Sequence, residues 1–240
     1  EQEVGGRNKS RKTSNSFEFS SFWADSNNKV INDLLDFTKT FFSKHTLLNI
    51  LTKYCVFTSE RMLMVMRPYQ IAATERIIQR INVAHNYKFY GSIRGGGYIW
   101  HTTGSGKTLT SYKATRNLLM DIPAIDKAIF LIDRKDLDTQ TTMAFQAYAN
   151  NDLVDVDETD NVNDLKKKLK SDDRQVIVTT IQKMQILISK RLQEGTSEYS
   201  KIKNLKIAFV VDECHRAVTP KTKRELERFF GRSLWYGFTG

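Results

Sequence analysis

The stretch HTTGSGKT, which begins at His101, has the residue types and spacing of a loop that binds a nucleoside triphosphate. Gly104 and Gly106 allow backbone N–H groups to surround phosphate oxygens, and Lys107 supplies a cation for the β- and γ-phosphates. The Thr108 hydroxyl is a suitable ligand for Mg²⁺. The usual pattern has glycine in place of His101, but that position lies at a strand exit, where the loss matters less. The loop residues that we expect to contact the nucleotide are Thr103, Gly104, Ser105, Gly106, Lys107 and Thr108.

A pair of acidic residues, Asp212 and Glu213, follows the fully apolar run Ile207–Val211. A carboxylate at the end of a buried strand can face the phosphate loop of a neighbouring strand, so Asp212 is placed to hold Mg²⁺ through water. Glu213 is placed to orient the attacking water and to remove its proton. An acidic pair alone is usually a solvated strand end. Together with the G-K-T loop upstream, it predicts nucleotide hydrolysis with Lys107, Asp212 and Glu213 as the catalytic residues.

Apolar runs and amphipathic segments alternate from Arg67 onward, which predicts an α/β fold with a mainly parallel sheet covered by helices on both faces. The expected strands are Tyr98–His101, Ala128–Ile132, Val176–Thr179, Ile207–Val211 and Leu234–Phe238. The expected helices cover about 68–83, 107–120, 136–149, 162–170, 180–192 and 221–230. The phosphate loop then lies between the first strand and the helix that follows it.

Composition and periodicity divide the chain into three parts. Residues 1–27 are rich in Ser, Asn, Lys and Gly, and we expect them to form a linker or an extended lead-in. Residues 28–66 show apolar residues at helical spacing with a break near Lys44, which predicts two short helices packed on the main domain. Residues 67–240 carry both chemical motifs and form the candidate catalytic domain.

The composition is that of a basic globular protein, with 27% charged residues and a formal net charge of +10. Residues 67–240 hold 28 Lys and Arg against 20 Asp and Glu, and a basic surface favours polyanions such as nucleic acid. No apolar run approaches the ~20 residues of a membrane helix, and the N-terminus lacks the apolar segment of a secretory signal. Cys55 and Cys214 share no motif and are expected to be free thiols in a reducing cytoplasm.

Four further segments occur in the order typical of the DEAD/H-box class of helicase-like motors, whose second motif is Asp-Glu-x-His. RPYQ (Arg67–Gln70) resembles the motif that contacts adenine. DRKDL (Asp133–Leu137, with Gln140) and TTIQK (Thr179–Lys183) resemble two DNA-contacting motifs, and FTG (Phe238–Gly240) resembles the start of the coupling motif T-G-[TS]-P.

The resemblance implies a role for individual residues, each with a simpler alternative. Gln70 would contact the adenine edge, and an exposed helix glutamine is its alternative. His215 would relay between the nucleotide site and the coupling residues Thr239 and Gly240, or merely cap the following turn. Charges that follow a strand often face water, and a threonine before a helix often caps it. The residues implied to contact DNA are Arg134, Lys135, Thr179, Thr180 and Gln182.

The amino-acid sequence within and around the motifs is more specific than the motif class, and it closely resembles the R subunit of type I restriction enzymes. The segments that carry this resemblance are GGGYIWHTTGSGKTLTSYKA, LIDRKDLDTQ, VIVTTIQKM, VVDECHRA and YGFTG, within roughly residues 28–240. It implies a RecA-like P-loop domain, the first motor domain, with a small N-terminal helical lead-in. It also implies ATP and Mg²⁺ as cofactors and a cytoplasmic location in a bacterium or archaeon. The implied partners are double-stranded DNA and the methyltransferase (M) and specificity (S) subunits.

An R subunit of this family is longer than 240 residues and also contains a nuclease domain and a second motor domain. The E-x-K or Q-x-K triplet of the family nuclease does not occur in this sequence. The second motor domain would supply an arginine finger worth about 10³–10⁵ in rate. We therefore expect this chain to bind ATP with little hydrolysis.

The activity that the resemblance implies is ATP-driven translocation along duplex DNA before cleavage. A strand-separating DNA or RNA helicase of the same class and a non-catalytic, nucleotide-dependent docking module are the alternatives. A small-molecule kinase is disfavoured, because it has no use for the D-E-x-H and T-T-I-Q segments.

Overall fold

The computed structural model describes residues 21–25, 27, 29–102, 104–132, 140–150, 152 and 155–240. The strands within these ranges are β1 (Cys55–Phe57), β2 (Leu63–Val65), β3 (Gly97–Trp100), β4 (Lys127–Ile132), β5 (Val156–Glu158), β6 (Val176–Thr180), β7 (Ile207–Val211) and β8 (Ser233–Thr239). The helices are α1 (Leu34–Phe41), α2 (Lys44–Lys53), α3 (Pro68–Asn86), α4 (Lys107–Asp121), α5 (Gln140–Ala149), α6 (Val162–Lys170), α7 (Ile181–Ile186), α8 (Ser197–Lys203), α9 (Cys214–Ala217) and α10 (Pro220–Phe229).

Six strands form one sheet in the order β3-β8-β7-β4-β6-β5, and every neighbouring pair is parallel. All five strands expected from the sequence are present, with ends that differ by at most one residue. The edge strand β5 was not expected, because three half-buried residues, two of them acidic, carry no apolar run. The α/β fold with a parallel sheet is therefore confirmed.

Helices cover both faces of the sheet, and the alternation of side chains along the central strands explains why. In β4, Ala128 and Phe130 belong to one core cluster, which α3, α4 and α5 cover. Ile129 and Leu131 point the other way into a second cluster, which α6, α7, α8 and α10 complete. A strand buried on both faces needs apolar residues at every position, which is the pattern of this run.

The expected helices are confirmed with two differences. The segment expected as one helix over about 180–192 is α7 followed by a π-helical turn at Leu187–Arg191. The short helices α8 and α9 were not expected. Residues 136–139 of the helix expected over 136–149 lie outside the described residues, and so do residues 1–20.

Residues 29–66 contain the two expected short helices and a small antiparallel hairpin, β1–β2, that the sequence did not predict. This lead-in is tied to α4 by polar contacts. The Asn117 amide donates to the Lys53 carbonyl at 3.2 Å, and the Lys53 ammonium lies 2.8 Å from Asp121. Ile50 and Val56 join the same apolar cluster as α4. The lead-in therefore packs on the helix that follows the phosphate loop.

Two buried cations of the same helix, Lys113 and Arg116, lie against the carboxylate of Asp152, which follows α5. The Arg116 guanidinium donates to Asp152 at 2.9 Å, and the Tyr112 hydroxyl donates to the same carboxylate at 2.8 Å. The side chains of Arg116 and Asp152 are each 8% exposed. Burial alone would raise the pKa of Asp152, but the neighbouring Arg116 charge and these hydrogen bonds hold it below its usual value. Burial, together with the Arg116 charge, lowers the pKa of Lys113 to about 8.

We predict that Asp152→Asn destabilises the protein by about 3 kcal/mol, because it removes the anion that compensates two buried cations. Urea unfolding measures this loss. The matched control is Asp172→Asn, which breaks an exposed pair with Lys201 at 2.8 Å and should leave the unfolding free energy unchanged. Equal effects of the two substitutions would show that the buried pair does not stabilise α4.

Candidate active site

The candidate site lies where three neighbouring parallel strands end. The carboxyl ends of β3, β8 and β7 lie at the same edge of the sheet, which is where ligands of open α/β sheets bind. The phosphate loop follows β3, and the acidic pair Asp212 and Glu213 follows β7. Because β8 lies between these two strands, its last residues Thr239 and Gly240 come between the loop and the acidic pair.

The phosphate loop turns sharply into α4. Gly104 and Gly106 both have left-handed backbone conformations, with φ of +78° and +80°. Gly106 is the N-cap of α4, and Lys107 is the first helical residue. The free N–H groups and partial positive charge of this helix start can receive an anion. Thr103 lies outside the described residues.

The Lys107 ammonium lies 2.6 Å from the Glu213 carboxylate. The two side chains are 17% and 27% exposed, so the pair is partly shielded from water. Glu213 itself has φ of +42°, a left-handed conformation that a non-glycine residue adopts only at a cost. The structure thus joins the loop lysine directly to the residue expected to act as the base.

Hard oxygen donors for Mg²⁺ lie on both sides of this pair. Thr108 is the second residue of α4 and is half-buried, and the Asp212 carboxylate accepts the Glu213 N–H at 3.1 Å. Within the described residues there is no cluster of three or more His, Cys, Asp or Glu side chains that could hold a metal alone. One hydroxyl and one carboxylate suit Mg²⁺, which usually completes its shell with phosphate oxygens and water.

The RPYQ segment holds the phosphate loop from the side of α3. The Gln70 amide nitrogen donates to the carbonyls of Ser105 and Gly106, at 3.1 and 3.2 Å, and its oxygen accepts the Arg67 N–H at 2.8 Å. Tyr69 donates its hydroxyl to the Ser105 carbonyl at 2.7 Å. Gln70 is only 4% exposed, so the alternative of an exposed helix glutamine is wrong. Its contact with adenine stays a prediction.

Sequence reasoning missed Tyr69, although it stands next to Gln70 within the same motif. Its hydroxyl and the Gln70 amide share one acceptor, the Ser105 carbonyl, on the phosphate loop. A tyrosine in the first turn of a helix gives no indication of which backbone group its hydroxyl will reach.

The residues expected to couple nucleotide to movement are in contact. His215 Nδ1 lies 2.8 Å from the Thr239 hydroxyl and 3.5 Å from Glu213 Oε2. Gly240 is close to the loop, because a Cβ there would lie 2.6 Å from Lys107 Nζ. The contact that a relay requires is therefore present, and the relay itself stays a prediction.

Comparison with known proteins identifies the family. Residues 69–240 match the family model of SWI2/SNF2 ATPases. The chain is 45% identical over 211 residues to the C-terminal part of the type I restriction enzyme MpnIIP endonuclease subunit of Mycoplasma pneumoniae, covering 87% of this chain and 99% of that relative. The chain belongs to the type I restriction enzyme endonuclease subunits. Its motif-bearing part is a SWI2/SNF2 ATPase domain.

A longer relative is the type I restriction enzyme SsaAORF53P endonuclease subunit of Staphylococcus saprophyticus, which is 40% identical over 220 residues. This match covers 91% of the chain but only 22% of that relative, so the chain spans about a fifth of its length. Two structures of UvsW from bacteriophage T4 share the fold at 18% identity, with TM-scores of 0.52 and 0.53. They cover 82% of this chain and 60% and 34% of the UvsW chains.

Three further expectations concern the cysteines, membrane-spanning helices and the domain boundary. Both cysteines are free thiols, as expected. None of the helices in the described ranges is long and apolar enough to cross a bilayer. The division at residue 67 stays a prediction.

The residues that the helicase-like motifs imply as DNA contacts differ in how the structure presents them. Arg134 and Lys135 lie outside the described residues. Thr179 is fully buried, and the Thr159 hydroxyl donates to its hydroxyl at 2.8 Å. Thr180 is 2% exposed and caps α7, accepting the Lys183 N–H at 3.3 Å. The capping role of Thr180 is present, and it is compatible with phosphate contact at the same helix N-terminus. Contact of Thr179 and Thr180 with DNA therefore stays a prediction.

Gln182 is the second residue of α7 and is half-buried. Its side-chain oxygen has no hydrogen-bond partner within the part of the chain that the structure describes. Contact between Gln182 and DNA stays a prediction.

The contact between Gly106 and Gln70 generates a prediction about the loop. In Gly106→Ala the new Cβ would lie 2.5 Å from the Gln70 amide nitrogen, in addition to the strain of φ +80°. We expect this substitution to cost about 1 kcal/mol less in a Gln70→Ala background, where the clash is absent. Urea unfolding of the four proteins measures the difference.

Gly104→Ala is the matched control, because Gly104 has a similar φ of +78° but open space around its Cβ position. Its cost should be the same in both backgrounds. If Gly106→Ala also costs the same in both, Gln70 does not hold the loop in solution.

Proposed function

We propose that this chain is the ATP-binding motor domain of a type I restriction enzyme R subunit. The domain drives ATP-dependent translocation along double-stranded DNA, and a nuclease domain outside this chain then cuts the DNA. The observation that carries the proposal is the 2.6 Å contact between Lys107 and Glu213, flanked by Thr239 and Gly240 at the end of β8. Phosphate cation, base and coupling segment therefore meet at one point.

Binding begins at the phosphate loop. The N–H groups of Gly104 and Gly106 and the start of α4 surround the phosphates, and Lys107 binds the β- and γ-phosphate oxygens. For this step the Lys107 ammonium must exchange Glu213 for phosphate. The exchange leaves the Glu213 carboxylate without its 2.6 Å partner, so the carboxylate becomes available to a water molecule.

Hydrolysis then depends on Glu213. Its carboxylate orients the attacking water and takes a proton from it as the water attacks the γ-phosphorus. Thr108 and Asp212 would hold Mg²⁺, which neutralises phosphate charge when it is bound with ATP. An arginine finger from a second motor domain would be needed for fast turnover, so this chain by itself binds ATP with little hydrolysis.

Coupling runs through the histidine that follows the acidic pair. His215 lies within 3.5 Å of Glu213 and hydrogen-bonds to Thr239 at 2.8 Å. A change in the charge environment of Glu213 therefore reaches the end of β8 in two contacts. This path gives the motor a route from hydrolysis to movement along DNA.

Double-stranded DNA is the proposed track, and the M and S subunits are the proposed protein partners. Support comes from the net charge of +10 and from membership of the type I endonuclease subunits. Arg134, Lys135, Thr179, Thr180 and Gln182 remain the candidate DNA contacts. They would grip phosphates, which carry no direct sequence information, so the motor would be indifferent to sequence.

The proposal predicts that Glu213→Gln separates binding from chemistry in the full-length subunit. The amide is nearly isosteric but cannot take a proton from water, so turnover should be lost. ATP affinity should equal or exceed that of the wild type, because the substitution removes the anion that competes for Lys107. Fluorescent-nucleotide binding and phosphate release measure the two effects.

Lys107→Ala is the contrasting variant, because it removes the cation itself and should abolish ATP binding. Wild-type turnover in Glu213→Gln would remove Glu213 from the role of base. Normal binding and hydrolysis in Lys107→Ala would refute the phosphate-loop assignment.

The DNA assignment predicts a result in a salt series. Neutralising Arg134 and Lys135 together should weaken binding of the complete motor equally on duplexes of unrelated sequence. The slope of log affinity against log salt should become shallower by up to about two units, because two phosphate contacts are lost. A loss confined to one sequence, or an unchanged slope, would exclude these residues from the DNA path.

Two activity assays separate the proposal from its alternatives. DNA-stimulated ATP hydrolysis by the full-length subunit is expected of a motor and not of a docking module. Displacement of a third strand from a triplex, without separation of the duplex strands, is expected of a translocase and not of a helicase.

A further inference from the structure

His101, the residue that replaces the usual first glycine of the loop, lies where three motifs meet. Its ring packs edge-on against Tyr69 of the RPYQ segment, with centroids 5.8 Å apart, and against Phe238 of β8, with centroids 6.0 Å apart. Its backbone N–H donates to the Thr239 carbonyl at 2.8 Å. A Cβ on Gly240 would lie 2.8 Å from its carbonyl oxygen.

Among the described residues, the His101 ring contacts aromatic neighbours, and no hydrogen bond to its Nδ1 holds it in place. His101 is 6% exposed, and its Nδ1 is buried with no hydrogen-bond partner among the described residues. Burial and the nearby Lys107 charge lower its pKa, so the ring stays neutral. A neutral ring between two aromatic neighbours contributes through shape and edge-to-face contact.

We propose that His101 is a positioning residue that transmits nucleotide occupancy of the phosphate loop to the end of β8. The proposal rests on the proposed function and adds a second route beside His215. The Tyr69 hydroxyl donates to the Ser105 carbonyl, and the Tyr69 ring contacts His101. His101 in turn contacts Phe238 and Thr239. A shift of the loop around bound phosphates therefore moves the coupling segment, because closely packed groups transmit displacement.

Restoring the usual glycine distinguishes this role from a tolerated replacement. His101→Gly recreates the pattern G-x-x-x-x-G-K-T, so it leaves the phosphate-binding groups in place. It also leaves a gap between Tyr69 and Phe238, where the loop can move without moving β8. If the histidine merely fills a strand exit, the same substitution changes neither binding nor coupling.

The experiment uses the full-length subunit assembled with its M and S subunits. ATP affinity and the ratio of ATP turnover with and without duplex DNA are measured for the wild type, His101→Gly and His101→Phe. We expect His101→Gly to bind ATP like the wild type. Its ratio of ATP turnover with and without DNA should fall about tenfold, which is within the range typical of coupling between two sites. His101→Phe should restore most of the stimulation, because it refills the gap with an aromatic ring.

A second variant covers the case in which His101→Gly does not fold, which thermal unfolding would detect. Tyr69→Leu removes the other ring of the contact and should also lower the DNA stimulation. Wild-type stimulation in His101→Gly or in Tyr69→Leu would overturn the proposal, and so would a His101→Phe variant no better than His101→Gly. ATP binding that survives Lys107→Ala would instead refute the proposed function, so the two failures are distinguishable.

Discussion

The strand order β3-β8-β7 is the constraint on which the site depends. Parallel pairing brings the three carboxyl ends to one edge, and the position of β8 places Gly240 beside Lys107 and Thr239 beside His215. If β3 paired directly with β7, the lysine and the acidic pair would still meet, but the end of β8 would not lie beside them. The sheet therefore determines that any change in the contact between Lys107 and Glu213 acts on the end of β8.

Helix α4 imposes a second constraint, because its first residue is the proposed phosphate ligand and its later turns are fixed in the protein. Arg116 and Asp152 form a buried ion pair, and the Asn117 amide attaches the lead-in. The Arg174 guanidinium donates to the carbonyls of Leu119 and Ile122 near the end of the helix. A helix held at so many points is a rigid base, so movement on binding is concentrated in the loop before Lys107 and in the segments that the loop touches.

The sequence predicts the central sheet well because its strands are continuous apolar runs, which parallel strands buried on both faces require. It fails at β5 and at the β1–β2 hairpin, where short, partly exposed strands gain stability from neighbours rather than from their own pattern. The loop and the acidic pair are predictable because phosphate chemistry demands particular residues at particular spacing. The burial of Thr179 and the hydrogen bond from Tyr69 to Ser105 are not predictable, because both depend on which groups lie opposite each other in the folded chain.

Under the proposed function, the Lys107–Glu213 pair holds the candidate base in a contact that ATP must break. A glutamate at φ +42° is strained, and the ion pair helps to offset that cost. When phosphate takes the lysine, Glu213 keeps the strained backbone but loses the compensating charge, so water and His215 become its remaining polar partners. In the proposed mechanism, part of the free energy of phosphate binding would thereby remain as backbone strain at Glu213, the residue that acts next. Since His215 already bonds to Thr239, release of that strain has a direct path to β8.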